Sequence, residues 1–116
     1  LRFRAEGVWH ADPTMVPTEP AVAEAFGDWS ATAPVAGAPL IDNAYEGWDG
    51  AAGIGQGWGG FAMRGEGASV LHLYRPPDAD FFCLEPVSHL PDAINRCGMD
   101  VLPPGETRML AMTLSV

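Results

Sequence analysis

Glu85 is the carboxylate best placed for proton transfer in this chain. It follows the apolar run Phe81-Phe82-Cys83-Leu84 and precedes Pro86. An apolar strand that delivers one acid, then loses a backbone donor at proline, brings that acid to the irregular edge of a buried sheet. That is a suitable setting for a general base. A solvated rim residue is the plainer reading of the same pattern. Asp42 likewise follows an apolar pair, Leu40-Ile41. Two acids reaching one rim could grip sugar hydroxyls or perform acid/base work. Asp42-Asn43 also suits the start of a turn, since both residue types bond their own backbone there, and spacing alone favours that reading.

The remaining candidates are aromatic. His89, four residues after Glu85, is the histidine closest to that chemistry, whereas His72 belongs to an alternating strand where it faces outward or is satisfied locally. His10, His72 and His89 have no metal-like spacing among themselves or with cysteine, so no metal site is expected. Trp48, in Glu46-Gly47-Trp48-Asp49-Gly50 just beyond Asp42, is the indole placed near a ligand, where its face would pack on the C–H side of a pyranose. Trp9, Trp29 and Trp58 read as core or hairpin residues. The chain has no Gly-x-Ser-x-Gly elbow.

The elements that must position these groups are mostly strands. Leu1 to Trp9 alternates, and His10-Ala11-Asp12-Pro13 breaks it. The Ala-rich stretch Ala21 to Trp29, with Thr18 as cap and Pro20 near the first turn, predicts one short helix ending near Gly27. Ser30 to Pro39 reads as a surface connection, and the glycine-rich Gly47 to Gly60 as loops and a hairpin edge. Phe61 to Arg64 and Ala68 to Tyr74 are strands joined by Gly65-Glu66-Gly67, a loop of hairpin length and composition. Phe81 to Glu85 is another strand, Pro91 to Arg96 a helical turn at most, and Arg108 to Val116 a last strand. About six strands and one helix predict an all-β antiparallel sandwich.

The chain has 116 residues, enough for one domain and one core. It opens on strand-like sequence at Leu1 without a methionine, which reads as a piece of something longer. Fifteen acidic residues oppose 6 basic ones, all arginine, for a net charge of −9. This argues against a nucleic-acid partner. The absence of lysine excludes Schiff-base chemistry and a phosphate loop ending in Gly-Lys-Ser/Thr. No apolar run approaches the ~18 residues of a membrane span, and the first residues lack a signal-peptide layout. Cys83 and Cys97 lie on unlike segments, which favours a reduced, cytoplasmic setting.

Four blocks together resemble the C-terminal portion of the aldose 1-epimerase (galactose mutarotase) family. They are Ile41-Asp42-Asn43-Ala44-Tyr45-Glu46-Gly47-Trp48-Asp49-Gly50, Leu73-Tyr74-Arg75-Pro76-Pro77, Phe81 through Asn95, and Leu102-Pro103-Pro104-Gly105-Glu106-Thr107. The resemblance covers most of the chain from Leu40 onward, and Val8-Trp9 through Pro17-Thr18 extends it upstream. It implies a β-sandwich of the galactose mutarotase type, present here as residues 1–116 of a larger domain. It implies an enzyme that interconverts the α and β anomers of a free aldose without a cofactor. Glu85 falls on the family's base and Asp42 on the acid that binds sugar hydroxyls. The family's general-acid histidine lies upstream of Leu1, and none of His10, His72 or His89 sits in its motif. The isolated chain is therefore expected to be inactive, with exposed sheet edges that await a complementary N-terminal segment or an oligomer partner. A non-catalytic sugar-binding protein on the same scaffold is the alternative. A glycoside-processing pair of Asp42 and Glu85 is a third reading.

Overall fold

Ile41 and Tyr45 in Ile41–Glu46, and Leu71 and Leu73 in Val70–Arg75, bury large apolar side chains on one face of strands that pair side by side. The computed structural model describes residues 1–37, 39–56 and 59–116. Its strands in chain order are β1 (Arg2–Phe3), β2 (Gly7–Ala11), β3 (Pro17–Val22), β4 (Ile41–Glu46), β5 (Ala51–Gln56), β6 (Gly59–Glu66), β7 (Val70–Arg75), β8 (Cys83–Val87) and β9 (Ala111–Ser115). They form a four-stranded sheet, β1-β5-β6-β9, and a five-stranded sheet, β3-β2-β4-β7-β8. Every pairing is antiparallel. Helical structure among the described residues is limited to two short 3₁₀ segments, Ala23–Phe26 and Ala93–Asn95. The protein is thus nearly all-β.

One core joins the two sheets. Ile41 and Tyr45 on β4, with Leu71 and Leu73 on β7, turn inward from the five-stranded sheet and meet Phe3, Ala52 and Met63 of the other. Each large side chain fully buried this way contributes on the order of 1.5–3 kcal/mol. Trp29 closes the core from the connection before β4, and its Nε1–H donates to Tyr45 Oη at 2.9 Å. Phe3 meets the Tyr45 ring edge-on at 4.9 Å. Arg75, buried at the end of β7, donates to the carbonyls of Val35 and Pro39 and so ties the long connection before β4 to the sheet.

Trp48 fills the place where the chain crosses between sheets. The β4–β5 and β6–β7 connections run together, with Trp48 N–H donating to Ser69 O at 3.1 Å and Gly65 N–H to Gly50 O at 3.0 Å. The indole packs against Gly65, where an added Cβ would lie 2.6 Å from the ring. Gly65-Glu66-Gly67 therefore does not close a hairpin. β6 and β7 belong to different sheets, because Gly65 must admit Trp48 and Gly67, at φ 74°, turns against the Met109 carbonyl.

Other expectations also differ from the fold: Leu1 to Trp9 is not one strand but β1 and β2, which lie in different sheets, with β2 running on to Ala11; Asp42-Asn43 does not start a turn but lies inside β4; and the last strand begins at Ala111, not Arg108. The Ala-rich segment begins as β3 and continues as a single 3₁₀ turn, not a helix over Ala21 to Trp29. Asp12 is the reason: its Oδ1 accepts from Thr14 N–H, Thr14 Oγ1–H and Val16 N–H, which closes a β2–β3 hairpin. β3 is an edge strand, where Pro17 and Pro20 are tolerated. The glycine-rich stretch supplies β5, an interior strand between β1 and β6. Trp58, expected in core or hairpin, lies outside the described residues. On one side the sandwich stays open: β8 and β9 are edge strands, and Met112 and Leu114, in register with Gly65 and Met63, are 55% and 57% exposed.

Burial pushes the Tyr45 phenol up from 10.0 to about 12, only partly offset by the Trp29 hydrogen bond and the Arg75 charge. Between those values the folded state holds the proton that the unfolded chain has lost, so stability falls as pH rises through this window. The loss across it is expected to be about 2–3 kcal/mol. Denaturant midpoints from pH 9 to 12 check this. Tyr45→Phe flattens the decline, and a variant with the wild-type slope would contradict the assignment.

Candidate active site

The buried face of β4 and β7 sets what the opposite face carries. With Ile41, Asn43 and Tyr45 inward, Asp42, Ala44 and Glu46 point out; with Leu71 and Leu73 inward, His72 and Tyr74 point out. Register then brings them together: Asp42 pairs with Tyr74, Ala44 with His72, and His72 in turn with Glu85 on β8. Pro86 fits the β8 edge because its missing donor can face the open side.

Asp42, His72, Tyr74 and Glu85 line one cavity of about 620 Å³ on the outer face of the five-stranded sheet. Its far wall is the segment Ser88–Asp92, which leaves β8 and turns back over the sheet. Ala93 anchors that segment by burial, and Asn95 N–H and Nδ2–H both return to Asp92, whose backbone is left-handed at φ 59°. Farther along, the Arg96 guanidinium lies over the Trp9 ring, 5.1 Å from its centroid, and Trp9 Nε1–H donates to Glu46 at 2.8 Å. The cavity wall is therefore held at both ends.

Asp42 is the most constrained group in the site. Its backbone N–H donates to Asn43 Oδ1 at 3.1 Å, while Asn43 Nδ2–H donates to Trp9 O at 2.8 Å and bridges to β2. Its side chain meets His72, with Nε2 2.6 Å from Oδ1, and both groups are partly buried. With Oδ1 engaged, Oδ2 is the oxygen left to contact a ligand. Glu85 is exposed, with no side-chain hydrogen bond among the described residues. His89 is exposed at the mouth of the cavity, its Nδ1 2.7 Å from Ser88 Oγ. Acceptors dominate this concavity, which suits a hydroxyl-rich neutral ligand better than an anion.

Of the residues singled out from sequence, Asp42, Glu85 and His89 share this cavity. Trp48 does not. It is buried between the sheets with its Nε1–H on Ala51 O at 2.9 Å, because the crossing connections need a large apolar plug there. His72 and Tyr74 are the lining residues that sequence reasoning left out of the site. The alternation of Ala68 to Tyr74 left His72 outward or locally satisfied, and its partnership with Asp42 depends on pairing across 30 residues. No group of three or more His, Cys, Asp or Glu suited to a metal occurs among the described residues, and none of their helices is long and apolar enough to cross a membrane.

The chain matches no model of a known protein family, no curated protein and no solved structure.

A double-mutant cycle with Asp42→Ala and His72→Ala tests the central contact. Denaturant unfolding is expected to give a coupling of about 1 kcal/mol. Additive single-site effects would show that the two side chains do not interact in solution.

Proposed function

We propose that the cavity on the five-stranded sheet binds a free aldose and that the protein is an aldose 1-epimerase of the galactose mutarotase type. One observation carries the reading: Glu85 and a hydrogen-bonded Asp42 open into the same concavity, with His72 between them in the sheet. The resemblance of the Asp42 and Glu85 blocks to that family supports it independently. Glu85 accepts the proton of the C1 hydroxyl while an acid delivers a proton to the ring oxygen O5, and the C1–O5 bond opens to the aldehyde. Rotation about C1–C2 and reversal of these steps give the other anomer. Asp42 Oδ2 accepts from a sugar hydroxyl, and His72 is a positioning residue that holds Oδ1. His89 contributes a polar contact at the rim.

The acid comes, on this reading, from a complementary segment outside residues 1–116 that pairs with the open side at β8 and β9. A second reading, a non-catalytic sugar-binding protein, draws on a separate observation. Asp42 Oδ2 and the exposed Glu85 can accept from sugar hydroxyls with no proton transfer, and His72 Nε2 is held by Asp42 Oδ1.

Polarimetry of α-D-glucose and α-D-galactose on the complete protein separates the two. Under the epimerase reading Glu85→Gln lowers the catalysed rate about 10²–10⁴-fold. His72→Gln raises KM more than it lowers kcat. Saturable sugar binding without any acceleration supports the binding protein, and an unchanged rate in Glu85→Gln removes Glu85 from the mechanism.

A further inference from the structure

The four-stranded sheet carries a second concavity on its outer face, of different chemistry. Phe3, Ala52 and Met63 are buried on the inner side, so their neighbours Arg2, Gly53, Ala62 and Arg64 face outward. Arg2 stands on β1 opposite Gly53, and Arg64 on β6 opposite Ala51. The two arginines therefore flank β5 two strand spacings apart and two residues out of level, about 12 Å between Cα atoms. Between them the outward positions of β5 and β6 carry Ala51, Gly53 and Ala62, and Arg4, Ser30 and Asp49 complete the rim. The result is a cavity of about 320 Å³ with a floor of small residues and three guanidinium groups around it.

The charge at this place is anomalous for the chain. Arg2, Arg4 and Arg64 are half of its 6 basic residues, gathered on one face of a protein with net charge −9. None of the three is ion-paired among the described residues, where the ion pairs are His72 with Asp42 and Arg108 with Asp100. One acid, Asp49, shares the lining, with its Oδ1 accepting from Ala51 N–H at 3.0 Å, so three arginines face one carboxylate there. Arg2 is drawn over the sheet, its Nε 4.0 Å from where a Cβ on Gly53 would stand. Side chains at Ala51, Gly53 and Ala62 longer than these would fill the floor. Three guanidinium groups against one carboxylate leave an excess of positive charge that favours an anion among them. Guanidinium forks match phosphate oxygens in geometry as well as charge.

We propose that this cavity is a binding site for a phosphate group, independent of the aldose site on the opposite face. Arg2 and Arg64 clamp the phosphate oxygens from either side of β5, and Arg4 adds the third positive charge. The ligand is free phosphate or a small phosphomonoester.

Calorimetric titration of the full chain at low ionic strength tests this, with inorganic phosphate and glycerol 3-phosphate as probes and sodium chloride at matched ionic strength as reference. Saturable binding is expected for phosphate, and tighter binding of glycerol 3-phosphate would assign the site to a phosphomonoester. Arg2→Gln and Arg64→Gln each weaken binding at least tenfold, with melting temperatures unchanged in the absence of ligand. Arg64→Lys, which keeps the charge but loses the fork, weakens it less, and Arg108→Gln leaves it unaltered. Heats reproduced by sodium chloride would overturn the proposal, as would wild-type affinity in both Arg2→Gln and Arg64→Gln.

Discussion

The register of β4 against β7, which turns Ile41, Tyr45, Leu71 and Leu73 to one face, is the constraint on which the rest of the molecule depends. Ile41, Tyr45, Leu71 and Leu73 are all at most 1% exposed, and they fill the core only in the observed register. A slip by one residue would turn Tyr45 to solvent and press Asp42 and His72 into an apolar interior. Burying those two ionisable groups would cost several kcal/mol, comparable with the whole stability of a small domain. Hydrophobic burial on one face thus dictates the polar constellation on the other. The Asp42–His72 contact follows from that register.

The constraint also explains which parts of the fold were legible from sequence. Strand character read over Ala68 to Tyr74 and Phe81 to Glu85 is local, written in alternation and an apolar run, but the strands themselves are Val70–Arg75 and Cys83–Val87, so Glu85 lies inside β8 and not at its end. Trp48 was misplaced because its neighbours Asp42 and Glu46 suggested a ligand, whereas its position is decided by Gly65, 17 residues away, which leaves room for the indole. The Gly65-Glu66-Gly67 turn has hairpin composition, yet sheet membership is a property of the partners β5 and β8 and not of the turn. Ala21–Trp29 has helical composition, but the Asp12 turn commits the preceding chain to β3 before a helix can nucleate. Each miss replaced a local preference with a long-range one.

The two outer faces divide the charge of the protein between them. The five-stranded sheet gathers carboxylates and imidazoles over Asp42, His72 and Glu85, and the four-stranded sheet gathers Arg2, Arg4 and Arg64 over small residues. Between the faces the core is apolar and aromatic, apart from Asn43 and Arg75, whose hydrogen bonds tie the sheet to its neighbouring segments. The open side at β8 and β9 breaks this symmetry. There Leu84, Pro86 and Met112 line a cleft continuous with Glu85, so whatever covers those apolar groups also borders the proposed sugar site.

A crystal structure of the protein with bound galactose is the most direct test of the proposed site. The C1 hydroxyl is expected within about 2.6–3.2 Å of a Glu85 carboxylate oxygen, with Asp42 Oδ2 on a ring hydroxyl and His72 still on Oδ1. A sugar bound elsewhere, or one that occupies the cavity with C1 remote from Glu85, would contradict it.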